Sequence, residues 1–255
     1  MGRLTFEQFE EMRLRELKKY CEDNNLDFEQ IRPLTIMKEN LDLSASQINL
    51  NDPSKDGIEL EAFAENLVTS LMENFVIIKG DSYYEIADAE FYFFAPYHQD
   101  ITVYDRELGP GRFFFHDSGF DISFKSHVTW TDKMKEKIID RDNSIFGGIL
   151  VSALIKKDLK GEKTIIQGPK LCMWELWDSF NAFERVSAEY PVLFYKPLGN
   201  LKIEILPRHF PIRDKESKLK SLNKKFNGQE NTWEDLKHFL DLKYRFRRAD
   251  LNSLK

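Results

Sequence analysis

The chain has 255 residues, 42% of them hydrophobic and 21 of them Phe, and its 37 Lys and Arg against 43 Asp and Glu leave a net charge of −6. That much apolar material supports a packed interior and excludes the composition of disordered chains. Cys21 and Cys172 stand far apart with no CxxC partner, which excludes a disulfide framework and a zinc ribbon.

The expected setting is a reducing, cytoplasmic compartment. The opening residues lack the apolar run of a signal peptide, and no stretch approaches the ~18 uninterrupted apolar residues needed to span a bilayer. Charge is unevenly spread. Arg208 to Lys255 holds 13 Lys and Arg against 7 Asp and Glu, a local +6, so the rest carries −12. Such asymmetry marks either a polyanion-contacting tail or a solvated helical end.

In chain order, Thr5 to Tyr20 reads as an amphipathic helix, with Thr5 and Gln8 suited to a capping box. Asp42 to Gly57, rich in Asn, Asp and Ser, reads as a linker. Leu60, Phe63, Ala64, Leu67, Val68, Leu71, Met72 and Phe75 fall on one helical face. Strands are predicted at Phe75 to Ile78 and Tyr83 to Phe94 around a Lys79–Ser82 turn, then at Arg112 to His116, Phe120 to Phe124 and Gly148 to Ile155. A helix is predicted from Pro169 to Phe183, strands at Val192 to Tyr195 and Leu201 to Leu206, and a last helix from about Thr232.

This order, without regular βαβ alternation, predicts an α+β fold: one core with a mostly antiparallel, curved sheet flanked by helices, plus helical additions at both ends. The expected division is an N-terminal helical extension over 1–50, an α+β core over 51–206 and a basic helical segment over 207–255.

The informative stretch is Glu85-Ile86-Ala87-Asp88-Ala89-Glu90-Phe91-Tyr92. On a strand, residues two apart share a face, so Asp88, Glu90 and Tyr92 project together. This run resembles the "I-V-E-T-E-A-Y" strand of the alkyladenine (3-methyladenine) DNA glycosylases. Phe146-Gly147-Gly148-Ile149-Leu150-Val151-Ser152-Ala153-Leu154 is similar to that family's "G-A-V-L-L-R-A-L" strand, and Gly168-Pro169-Lys170-Leu171-Cys172 to its "G-P-S-K-L-C" helix start. The matches keep the family's order over roughly residues 58 to 180.

The resemblance implies Glu90 as the catalytic base, Tyr92 as a ring stacked on a flipped base, His98 closing the pocket and Phe115 stacking from the other side. It implies a DNA glycosylase that hydrolyses the N-glycosidic bond of a modified purine, with no metal or cofactor and with nucleic acid as partner. Two positions depart from the family: Ser118 stands near the place of its intercalating wedge, and Ser152 replaces a strand Arg.

The residue types suit that chemistry. N-glycosidic hydrolysis passes through an oxocarbenium-like state that a carboxylate stabilises while activating water, and aromatic rings recover part of the cost of extruding a base. Tyr244-Arg245-Phe246-Arg247-Arg248 interleaves aromatic and basic groups, making Tyr244, Arg245, Arg247 and Arg248 candidate nucleic-acid contacts or the end of an amphipathic helix with Arg stems lying on the core. Two other readings stay open. One is a non-catalytic scaffold that binds nucleic acid or another partner. The other is a metal-dependent small-barrel enzyme using His98, His116 and His127 with Asp100, Asp117 and Asp121.

Overall fold

The structure is a computed structural model that describes residues 6–42, 56–133, 136–178, 190–209, 215–224 and 231–253. Three helices come first: α1 (Phe6–Asp23), α2 (Phe28–Asn40) and α3 (Asp56–Asn74). Then follow β1 (Phe75–Lys79), β2 (Ser82–Ala95), β3 (His98–Gln99), β4 (Phe113–His116), β5 (Gly119–Ser123), β6 (Trp130–Lys133), β7 (Glu136–Ile139), β8 (Phe146–Lys157) and β9 (Lys163–Gln167). The chain continues through α4 (Pro169–Leu176), β10 (Val192–Tyr195), β11 (Ile203–Leu206), α5 (Lys215–Asn223), α6 (Trp233–Asp241) and β12 (Arg245–Arg248).

The protein is α+β, with ten strands in one curved sheet whose main path runs β10-β1-β2-β8-β5-β4. Each strand pairing among the described residues is antiparallel. The 14-residue β2 is the spine. One of its edges pairs with β8 from Tyr83 to Phe94, and the other is divided among β1 over 82–85, β12 over 88–90 and β3 over 94–95. The apolar stripe of α3 read from the sequence packs here: Leu60, Ala64, Leu67, Val68, Leu71 and Met72 join Tyr84, Ile86, Ala89, Phe91 and Phe93 of β2 in the main core.

Both chain ends contribute to that core, through Met37 and Leu41 at the end of α2 and through Tyr244 and Phe246 at β12. The opposite face of the sheet carries a second cluster, in which Tyr92, Phe94, Phe146 and Leu150 pack with Leu222 of α5 and Leu236 of α6. The capping box at the start of α6 joins Thr232 and Asp235 in both directions, as the Thr-x-x-Asp spacing leads one to expect.

The expected capping box at Thr5, most of the Asp42–Gly57 linker and the end of the Pro169–Phe183 helix lie outside the described residues. Gly57 falls within α3, and the described part of the later helix ends at Leu176. A correction concerns the C-terminus: the helical end expected at Tyr244–Arg248 is strand β12, inserted between β11 and β2. Its alternating side chains suit a strand, and the neighbouring edge of β2 supplies carboxylates opposite its arginines.

Gly147 illustrates how closely the central strands approach. A Cβ there would stand 2.3 Å from the Tyr92 carbonyl oxygen and 3.0 Å from the Phe93 Cα, and backbone cannot yield as a side chain does. Gly147→Ala is therefore expected to destabilise the protein by about 1–3 kcal/mol or more, read as a lower urea midpoint with unchanged denaturant slope.

Candidate functional site

β2 presents three acidic side chains, all buried, on one face. Glu85 and Asp88 are three residues apart and share that face because the pairing with β8 shifts between Ile86 and Ala89, the irregularity of a β-bulge. Glu85 is paired with Lys157 and with Arg248, whose guanidinium nitrogen is 2.6 Å away. Asp88 accepts from Arg245 through both oxygens, Nε to Oδ1 at 3.0 Å and a terminal nitrogen to Oδ2 at 2.6 Å. This is the bidentate geometry that makes Arg–carboxylate pairs strong.

Glu90 is held differently. It is 2% exposed, its Oε2 accepts from the Tyr92 hydroxyl at 2.7 Å and its Oε1 from the His209 backbone N–H at 3.1 Å. Both donors are neutral. Arg245 gives its hydrogen bonds to Asp88 and stands 3.7 Å from Glu90 Oε1. Burial raises the Glu90 carboxyl above the ordinary range, although the Tyr92 and His209 hydrogen bonds and Arg245 oppose it. The Tyr92 phenol is pushed well up by burial and by Glu90 beside it. A carboxyl whose affinity for protons has moved toward neutral pH is suited to exchange one with water or a leaving group.

Tyr92 is not an open platform. The Arg208 guanidinium lies 4.5 Å from its ring centre, held by Asp100 at 2.6 Å and by the Phe239 carbonyl at 2.5 Å. Burial alone would lower the Arg208 pKa, but Asp100, Tyr92 and Glu90 together outweigh it and the net shift is upward.

His98 is near these groups. Its ring is parallel to that of Phe93 at 6.2 Å and edge-on to Phe239 and Tyr244. Its Nε2 is buried and has no hydrogen-bond partner among the described residues. Burial lowers its pKa to about 4, so the folded ring is neutral where an unfolded one would begin to charge. The folded state then binds fewer protons than the unfolded one between pH 6.5 and about 4. Its contribution to stability is in full above pH 6.5 and is lost as pH falls through that window, by up to about 1.4 kcal/mol per pH unit. Urea unfolding at stepped pH should show this acid limb, with His98→Gln flattening it.

Phe115 is elsewhere. Directly paired residues share a face, and the registers align Glu90 with Leu150, Leu150 with Asp121, and Asp121 with Phe114. Phe115 therefore points to the opposite face, where it is 47% exposed and packs on Trp177 at 4.7 Å. It does not face Tyr92. Sequence order gave no access to this, because the parity of a strand depends on its pairing register.

The predicted basic surface is also largely internal. Tyr244 is 1% exposed, Arg245 and Arg248 are engaged by Asp88 and Glu85, and Arg247 is half-buried, its Nε without a hydrogen-bond partner among the described residues.

The three histidines of the metal reading are held by separate neighbours: His98 by rings, His116 by Asp121 at 3.1 Å, and His127 beside Glu107 at 3.8 Å. Among the described residues no three His, Cys, Asp or Glu side chains are placed to hold a metal ion. Nor is any described helix long and apolar enough to cross a membrane.

Sequence reasoning missed Arg208, the His209 amide and Arg106. Arg106 lies 2.5 Å from Asp121, both side chains at most 3% exposed. Burial pushes the Asp121 carboxyl up, and Arg106 and His116 together bring it below its ordinary value. Glu90 and Asp121 thus sit on one face, separated by one strand, with proton affinities displaced in opposite directions. No protein-family model, curated protein or solved structure matches the chain.

Proposed function

We propose that this protein is a glycosylase-like hydrolase that cleaves the N-glycosidic bond of a modified purine, with Glu90 activating the water. The observation that carries this reading is the contrast along β2: Glu85 and Asp88 are matched by cationic partners at hydrogen-bonding distance, whereas Glu90 is equally buried and receives hydrogen bonds from neutral donors alone. Burying a carboxylate that takes no hydrogen bond from a cation, Arg245 standing 3.7 Å away, is costly, and such placements concentrate where a proton is moved. The ordered resemblance of residues 58 to 180 to the alkyladenine DNA glycosylases supports the same residue for the same task.

In the reaction, Glu90 takes a proton from water as the oxygen bonds to C1′. The C1′–N bond breaks and the base leaves with the bonding electrons. Tyr92 holds the carboxylate by its hydroxyl in this scheme. With Arg245 and Arg248 committed to Asp88 and Glu85, little cationic surface is left there for a duplex backbone, which favours a single strand or a nucleoside as substrate.

The test is base release from single- and double-stranded oligonucleotides and nucleosides carrying 3-methyladenine, 7-methylguanine, hypoxanthine or ethenoadenine. Release that requires Glu90 establishes the reading, and its absence from all of them refutes it. The second reading, a non-catalytic scaffold that binds nucleic acid or another partner, is favoured by Arg208 covering the Tyr92 ring. It predicts binding at low salt without any base release.

A further inference from the structure

Two guanidinium groups on the Glu90 side of the sheet have donors left over. Arg106, in the loop before β4, has its guanidinium carbon 4.0 Å from the Phe114 ring centre and its Nε donating to the Tyr104 carbonyl at 3.1 Å. One terminal nitrogen contacts Asp121, while the other, NH1, is buried and makes no hydrogen bond among the described residues. That NH1 sits over Gly148, where a Cβ would come within 2.9 Å of it. Gly148 pairs with Tyr92, whose hydroxyl donates to Glu90. Arg106 therefore reaches from β4 across β5 to β8, and its free nitrogen lies beside the strand that carries the candidate base. Arg208, over the Tyr92 ring, also has a buried Nε without an acceptor among the described residues.

A buried donor left unpaired is costly, more so on a charged group, and each one in a folded protein calls for a ligand or solvent to explain it. Charge narrows the ligand. Arg106 is balanced by Asp121 and Arg208 by Asp100, and Glu90 adds a further carboxyl. The region lacks hydrogen-bond acceptors but not negative charge, so a phosphate is disfavoured and a neutral ring with acceptors on its edge fits. A purine with a 6-oxo group presents O6 and N7 side by side, the edge that guanidinium groups read. A 6-amino purine would set its own N–H against Arg106.

We propose that Arg106 is a specificity-determining residue of the Glu90 site and selects 6-oxopurines over 6-aminopurines. The identity of the site rests on the hydrolase reading above, but the selection itself is a matter of binding and is testable without turnover. Calorimetric binding of hypoxanthine and of adenine to the full chain, wild type and Glu90→Gln, should favour hypoxanthine by about tenfold or more. Arg106→Lys keeps a charge for Asp121 but loses the planar fork, and should bring the ratio near unity.

Release from single-stranded oligonucleotides carrying hypoxanthine or adenine should follow the same ratio in kcat/KM. Preferential, Arg106-dependent binding of hypoxanthine without any release would sustain the selection and sink the hydrolysis. Equal affinity of the wild type for the two bases, or affinity for neither, would overturn the selection, whatever is released. Because the wild-type ratio is decisive by itself, a misfolded Arg106 variant does not shield the proposal.

Discussion

Glu90→Gln is expected to lower base release by about 10²–10⁴-fold, the range of a lost general base, while leaving the protein at least as stable as the wild type. The two halves of that expectation come from the same environment. Glu90 is buried against neutral donors and its carboxyl is raised by desolvation, so above its folded pKa the ionised group opposes folding. Its contribution to stability is in full below the ordinary value of 4.5 and is lost as pH rises through the raised folded value.

A glutamine escapes that loss. Its oxygen accepts from the His209 amide, and its NH₂ donates to the Tyr92 oxygen once the hydroxyl rotates, so both contacts survive. The measurement is base release beside urea unfolding from pH 4 to 9. The wild-type midpoint should decline relative to Glu90→Gln as pH rises from about 4.5. A structural carboxylate behaves in the opposite way: the substitution would cost stability and spare activity.

The fold was legible where one periodicity dominated. The apolar stripe of α3 and the aromatic, β-branched runs of β1, β2, β5 and β8 read correctly because each buries a face against the same core. Helix α2 was not read, since Pro33 lies inside it and its apolar spacing is weak. The short β3 and the β6–β7 hairpin were not read either: each pairs with a neighbouring segment over only two to four residues, too short a run for periodicity to show.

At the site, the shared face of Asp88, Glu90 and Tyr92 followed from their two-residue spacing and is what Arg245 meets. What spacing does not encode is which strand lies alongside. β12 brings Arg245 and Arg248 to the acidic edge of β2, so a run that looked like a surface for nucleic acid became the counter-charge of the interior. Arg106 and Arg208 come from loop and strand-end positions with no motif around them, and their places depend on tertiary contacts with Asp121 and Asp100.

Asp100→Ala should be the most damaging substitution outside the hydrophobic core. Asp100 and Arg208 are both fully buried, with side-chain exposures of 0% and 0%. Asp100 also accepts from the Thr102 amide and hydroxyl at 2.9 and 2.6 Å. Removing it strands the Arg208 charge and unpairs those donors, at a cost of about 3–5 kcal/mol. For a chain of this size that is a fall in Tm of roughly 10 °C.

The loss arises mainly from the uncompensated charge, so removing both partners in Asp100→Ala/Arg208→Met should recover much of it. The exposed Lys237–Asp241 pair, with side chains 59% and 61% exposed, provides the contrast: Lys237→Ala should cost under about 0.5 kcal/mol. Arg208 also lies over Tyr92, so Asp100→Ala should disturb the Tyr92 to Glu90 hydrogen bond. Denaturation midpoints of the three variants decide it. An Asp100→Ala protein as stable as the wild type would mean that Arg208 finds water in place of Asp100, and that this side of the sheet is more open than its burial indicates.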